Sequence, residues 1–301
     1  MEDTRPQLSI VIASVNGRPY LDECLRALRR QRGEVRAEVI VADGVGAEVR
    51  SFVEAEHPEV HLIACDGPRS VPALRSAGIL ASQGEIVVLT EDHCIPAEDW
   101  YESLLRAHGR WPGPAIGGAV DNAATGRTVD WAVFFCEYSN FMTPLPEGIV
   151  HDLPGPNLSY KRSALEEMDD LVRGEYWETF LHWRLEERGH RLWSDPSIRV
   201  LHKKHFRFFD FLAERYHYGR AFAGTRTRFV SPGRRWFYFA FSPALPALLA
   251  ARIGRRSLAR RRHRAAFARA LPMILLFMLA WAAGEWVGYA WGPGQSALRL
   301  R

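Results

Sequence analysis

Carboxylates almost vanish from the last third of this sequence. Residues 201–301 hold three Asp and Glu against nineteen Lys and Arg, whereas residues 1–200 hold thirty-two against twenty. The formal net charge of +4 therefore conceals an acidic globular part followed by a strongly basic tail. Such a tail suits nucleic acid or anionic lipid, and charge alone does not separate the two. Cysteine is scarce as well. The four residues Cys24, Cys65, Cys94 and Cys136 show no CxxC or zinc-knuckle spacing, which excludes a disulfide framework or a zinc finger. A chain of 301 residues can bury a core without such staples. No signal-peptide pattern precedes the first apolar run, so a reduced, cytosolic catalytic region is expected. GxGxxG, GxxxxGK[ST] and GxSxG are all missing. Their absence removes the dinucleotide fingerprint, the P-loop and the hydrolase elbow.

What is present is a regular alternation over the first hundred residues. Apolar, β-rich runs occur at "LSIVIAS" (8–14), "AEVIVAD" (37–43), "VHLIACD" (60–66) and "EIVVLTED" (85–92). Between them lie the amphipathic stretches 18–31, 46–57 and 70–83. Runs apolar on both faces and separated by helical patterns predict βαβ units and a parallel sheet. Ligands on such sheets bind beyond the carboxyl ends of the strands. Those ends are Ser14, Asp43, Asp66 and the cluster Glu91-Asp92-His93. An acidic cluster there is either a loop cap or a holder of a hard divalent cation through oxygen ligands. Further on, 115–120 reads as another strand and 155–168 as a loop and strand feeding a helix. A helix over 177–190 places Trp177, Phe180, Leu181 and Leu185 on one face, with Gly189 as its stop.

Beyond residue 205 the composition changes. Residues 236–253 are apolar but broken by Pro243 and Pro246, and the 21 residues 271–291 carry one charge, Glu285. A membrane crossing needs about 20 apolar residues. The connector 252–269 holds eight arginines. Positive loops stay on the cytoplasmic side, so two full crossings would translocate this one against the rule. The expected arrangement keeps 236–253 interfacial and lets 271–291 insert or re-enter, with the arginines on anionic lipid. Nucleic acid is then not an expected partner.

The order of these features resembles glycosyltransferase family 2. The resemblance rests on "LSIVIASVNGRPYLDECLRAL", "EVIVADG", "GPRSVPALRSAGILASQGEIVVLTEDHCIPAEDWYESLL", "GPNLSYKRSAL" and "WETFLHWRLEERGHRLWSDPSIRVLHKK", together about residues 7–205. It implies a GT-A fold, an α/β Rossmann-like and mostly parallel sheet with flanking helices, and a divalent metal, Mn²⁺ or Mg²⁺. It implies that Ser14 and Asp43 hold the nucleobase and that Arg75 meets the base or diphosphate. Asp92 would bind the metal, with Glu91 beside it, and His202 would be a further ligand or a phosphate contact; where the motif departs from the family pattern, coordination would rest on Asp92 plus His93 and waters. Glu178 would be the general base and Asn157 an acceptor contact. Thr90-Glu91-Asp92-His93 stands where the family commonly has two or three aspartates, and Glu178 replaces the usual Asp. "RYHYGRAF" (215–222) resembles an element of membrane-associated members that either closes Arg215 and Arg220 over phosphates or anchors a helix.

The expected organisation is a catalytic domain over 1–205, an interfacial segment over 206–253 and an Arg-rich connector with a membrane helix over 254–301. The expected activity is inverting transfer of a sugar from a nucleoside diphosphate to a hydroxyl acceptor. That acceptor would be lipid-linked or a polysaccharide, at the cytoplasmic face of the inner membrane. Two alternatives stay open: a polyprenyl-phosphate sugar synthase, and a non-catalytic nucleotide-binding membrane scaffold.

Overall fold

A computed structural model describes residues 5–300. Along the chain it forms β1 (Leu8–Ser14), α1 (Arg18–Arg29), β2 (Ala37–Asp43), α2 (Ala47–Glu56), β3 (His61–Ala64), α3 (Val71–Ala81), β4 (Ile86–Glu91) and β5 (Cys94–Pro96). There follow α4 (Trp100–Arg110), β6 (Ala115–Asn122), α5 (Thr128–Tyr138), β7 (Gly148–Val150), β8 (Leu158–Lys161), α6 (Arg162–Glu166), α7 (Asp169–Arg173), α8 (Glu178–Glu187) and β9 (Leu192–His202). The last third is helical: α9 (Phe208–Arg226), α10 (Pro232–Phe241), α11 (Leu245–Ala259) and α12 (Arg264–Trp291). Contacts divide the chain into two compact units. One holds the residues up to Ala123 with Phe141–Lys203; the other holds Ala124–Asn140 with the residues from Lys204 on.

The first unit is a single sheet in the order β3-β2-β1-β4-β8-β6-β9-β5, with β7 paired to β9. Its first half, β3 to β4, is parallel, because each crossover is a helix. In the second half only β6 and β9 pair in parallel; the four other pairings are antiparallel. All seven residues of β1 and five of the six in β4 are buried, as strands covered on both faces must be. Helix starts follow local chemistry. Ser70 caps α3 by accepting from the amide of Ala73, at 3.3 Å. Gly189 ends the α8 region with φ +84°, a left-handed conformation that a side chain disfavours.

Strand order reverses between β1 and β4: the chain moves from β1 outward to β2 and β3, then returns through α3 to β4. That switch point opens a crevice beyond the carboxyl ends. In register, Ser14 stands beside Asp43 and Ala13 beside Glu91, so the strand-end residues share one edge.

In the second unit α5 joins α9–α12. The buried Asp130 of α5 accepts from Arg127 Nε at 2.9 Å, His205 Nδ1 at 2.8 Å and the amide of Phe206 at 3.0 Å, while Phe135 meets Phe267 edge to face. Arg215 is buried against Trp281, 4.3 Å from its ring centroid, and pairs with Glu137 at 3.4 Å. Arg220 donates to the carbonyl of Gly292 at 3.2 Å. Both arginines of "RYHYGRAF" thus have partners within this unit.

Candidate active site

The two loops at the switch point are tied by one carboxylate. Asp92 follows β4, and its Oδ2 accepts from the amides of Val15 and Asn16 at 2.8 and 2.7 Å. Its Oδ1 accepts from Asn16 Nδ2 at 2.7 Å and lies 3.0 Å from His93 Nδ1. Asp92 is fully buried, and these bonds occupy both oxygens. Its side chain turns back toward β1 and fastens the β1–α1 loop. Asn16, which the sequence reading did not single out, is the other half of that fastening. Its signal was only its place one turn past a strand end.

Glu91 and His93, two positions apart, meet beside Asp92. Glu91 Oε2 lies 3.1 Å from His93 Nε2, and His93 Nε2 lies 3.0 Å from Nε2 of His202 at the end of β9. His202 arrives there because β5 and β9 pair with Cys94 opposite it. Burial alone would raise the Glu91 carboxyl. The hydrogen bond from His93 and the positive charges of His93, Arg75 and His202 outweigh burial and hold it down at about 2. The chemistry of this donor set suits a divalent ion. Neighbouring ligands around an octahedral ion about 2.1 Å away stand about 3 Å apart, the size of the Glu91–His93 and His93–His202 separations. Ligand atoms of Glu91, His93 and Cys94 also lie within 4.8 Å of one another. Burial, helped by the Glu91 charge, pushes the Cys94 thiol well above its usual range, so it stays protonated and is the weakest ligand of the group.

On the other side of Glu91, Arg75 of α3 links two carboxylates. Its Nη2 donates to Glu91 Oε1 at 2.8 Å and its Nη1 to Glu178 Oε2 at 2.6 Å. Glu178 is the first residue of α8, where a negative charge is favoured by the helix dipole. The loop before β8 closes over this pair. A Cβ on Gly155 would sit 2.5 Å from Glu178 Oε1 and 3.0 Å from Arg75 Nη2, so only glycine lets the backbone come so near. An adjoining cleft is lined by Ile79, Leu89, Val172, Tyr176 and Leu181 as well as by Arg75 and Glu178. Arg75→Ala should cost about 3 kcal/mol, because it leaves two largely buried carboxylates facing each other. A denaturant titration reads that loss, and unchanged stability would discount the bridge.

The remaining expected residues have other surroundings. Ser14 Oγ is buried at the end of β1 with no hydrogen-bond partner among the described residues. Asp43 caps its own turn, accepting from the amides of Val45 and Gly46 at 2.9 and 3.1 Å, and from Arg50 Nε at 3.0 Å. Arg50 reaches on to Asp66 at 2.9 Å, so one guanidinium joins two of the strand-end acids. Asn157 stands apart from the cluster. It is fully buried, donates to the carbonyls of Ala119 and Ile198 at 2.9 and 3.0 Å, and accepts from Trp100 Nε1 at 2.9 Å. Those bonds knit β6, β8 and β9.

A parallel half-sheet, a switch-point crevice and acidic and imidazole groups at its rim are the frame of a GT-A glycosyltransferase. Among solved structures the chain resembles the mannosyltransferase PcManGT from Pyrobaculum calidifontis in complex with GDP-Man and Mn²⁺, with TM-score 0.56 and 19% identity over 95% of this chain and 88% of that one. It also resembles S. aureus TarS 1–349, with TM-score 0.52 and 14% identity over 91% and 90%. No curated protein matches. The model of glycosyl transferase family 2 matches residues 9–169, more than half of the chain. The chain belongs to that family and is a glycosyltransferase; Glu178 and His202 lie beyond the matched region.

Proposed function

We propose that the chain is an inverting, metal-dependent transferase that moves a sugar from a nucleoside diphosphate to a hydroxyl of a lipid-linked or polysaccharide acceptor at a membrane face. One observation carries the reading: the unbroken series Glu178–Arg75–Glu91–His93–His202 along the switch-point edge. Glu178 takes the proton from the acceptor hydroxyl as the new bond forms. A base on the side of the sugar away from the leaving nucleotide makes the attack in-line and inverts the anomeric centre. Arg75 presents a guanidinium to the diphosphate oxygens, a bidentate match. Ser14 and Asp43, at the ends of β1 and β2, offer the base its contacts.

Glu91, His93 and His202 would hold the divalent ion, with His93 Nδ1 donating to Asp92 so that Nε2 faces the ion. When bound, the ion offsets the negative charge that collects on the departing nucleotide. Two imidazoles and one carboxylate suit Mn²⁺ better than Mg²⁺, which prefers oxygen alone. The Mn²⁺ and GDP-Man of the structural neighbour support the same class of ligands.

A thermal-shift panel of nucleoside-diphosphate sugars, each with Mn²⁺ or Mg²⁺, tests the reading. The right donor at a hundredfold excess over Kd adds about 2.7 kcal/mol of stability. Transfer activity should follow the same donor. Binding of a donor without transfer or hydrolysis would point instead to the non-catalytic scaffold, and silence across the panel would sink the donor assignment.

A further inference from the structure

The helical unit has an outward face of the wrong polarity for water. On α12, Leu271, Leu275, Leu279 and Trp286 follow at intervals of four, four and seven residues, one side of a helix, and all are exposed. The other side, with Ile274, Phe277, Met278, Ala282 and Gly288, is buried. Beside it α10 exposes Trp236, Phe237 and Phe241, and Phe239 stacks on Trp286 with centroids 5.3 Å apart. Leu279 is 54% exposed, Trp236 60% and Trp291 69%, values that belong to surface charges in a water-soluble helix group. An apolar patch of this kind marks a docking surface.

The charges around the patch name the occupant. From Arg215 to Gly284 the sequence has fourteen arginines and not one Asp or Glu. Arg252, Arg255, Arg261 and Arg264 are exposed around the α11–α12 junction. Leucine and tryptophan bordered by arginine alone complement a leaflet with anionic headgroups, where tryptophan settles at the headgroup level.

How the helices meet that leaflet is decided by α9. By length and composition both Pro232–Ala259 and Arg264–Trp291 suffice to cross a membrane. Yet α9 runs alongside α12 in the same direction, from Phe208 against Phe277, through Gly219 against Trp281, to Gly224 against Pro293. Glycines set the approach. A Cβ on Gly284 would strike the carbonyl oxygen of Tyr216, and one on Gly219 that of Trp281. The two backbones are in contact over most of the apolar length of α12, so α12 enters hydrocarbon only if α9 goes with it. α9 carries Asp210, Glu214, Arg215, His217, Arg220 and Arg226. Hydrocarbon is costly for such a set. One apolar face, a polar companion along the other face and arginines at the end form the pattern of helices lying in the plane of the interface.

We infer that α10–α12 are an interfacial anchor. Their Trp- and Leu-bearing face sinks into one leaflet of an anionic bilayer, their arginines rest on headgroup phosphates, and α12 lies along the interface without crossing. This departs from the expected insertion of 271–291. It deepens the reading of a transferase acting at a membrane face, and its tests read binding and topology, so they succeed or fail apart from catalysis.

Full-length protein tagged at both ends is floated with phosphatidylcholine vesicles and with mixed phosphatidylcholine–phosphatidylglycerol vesicles. Binding should be about tenfold or more stronger to the mixed vesicles and should weaken with salt. Leu275→Glu with Leu279→Glu should lower binding to both by about tenfold or more. Arg252→Glu with Arg255→Glu should remove the preference for phosphatidylglycerol. All four positions are exposed, and circular dichroism confirms that the variants fold. Equal binding to both vesicle types overturns the anionic occupant. Failure to bind, with a stable oligomer that Leu279→Glu disperses, assigns the face to a second copy and overturns the proposal. In sealed membrane vesicles whose N-terminal tag is open to protease, the arginine-rich α11–α12 connector and the C-terminal tag should both be cut; protection of either means that a helix crosses and overturns the proposal.

Discussion

Glu178→Gln is expected to lower kcat by about 10²–10⁴-fold, the usual contribution of a positioned general base. Donor affinity and metal affinity should stay within a few-fold. The amide keeps the length and shape of the side chain and can still accept from Arg75 Nη1, now 2.6 Å from the Glu178 carboxylate, so α8 and the Gly155 loop have no reason to move. Arg75 also keeps its second partner, Glu91. What disappears is the ability to hold a proton taken from a hydroxyl. Steady-state kinetics with donor and acceptor varied separately check this: kcat falls while the donor's thermal shift is retained. Unchanged kcat would mean a nucleophile that needs no base, such as a lipid phosphate, and would move the protein to the polyprenyl-phosphate alternative.

The second large effect separates His93 and His202 from Asp92. His93→Ala and His202→Ala should each weaken Mn²⁺ binding by more than the roughly 10–100-fold typical of losing an orienting partner. Asp92→Asn should fall within that range, because it releases His93 Nδ1 without removing a ligand. It should also lower the stability of metal-free protein by about 2 kcal/mol, since a buried carboxylate accepting three N–H bonds becomes an amide that accepts through one oxygen. Mn²⁺ electron paramagnetic resonance in the presence of nucleoside diphosphate reads the affinities, and urea titration without metal reads the stability. Abolished Mn²⁺ binding in Asp92→Asn with unaltered metal-free stability would return Asp92 to the role of ligand.

The parallel half of the sheet was legible because its signal is local. β1 and β4 are near-continuous apolar runs, and their ends at Ser14 and Glu91 follow from where polarity returns. Glu178 and Arg75 came from motif order, and their bridge spans 103 residues without any trace in either neighbourhood. The hydrogen-bond partners within Glu91-Asp92-His93 were not legible. Three polar residues at a strand end look equivalent until the partner loop is known, and that loop, at Val15 and Asn16, lies 76 to 77 residues away. The partners of Asn157 were hidden for a related reason: Trp100, Ala119 and Ile198 arrive from three other elements to meet its amide. The sorting of α5 with the C-terminal helices likewise depends on distant partners such as His205 and Phe267.

The contact between His93 and His202 joins residues 109 apart in sequence. Closing so long a loop is entropically slower to be rewarded than forming the βαβ units, which are built from neighbours. The imidazole pair therefore comes together only after β9 has found its place against β5 and β6. A nascent or truncated chain ending before residue 202 would hold the β1–β4 half-sheet and its crevice yet lack the last imidazole. On the proposed metal site, metal affinity would be a gauge of completed folding, the donor set being complete once the sheet closes.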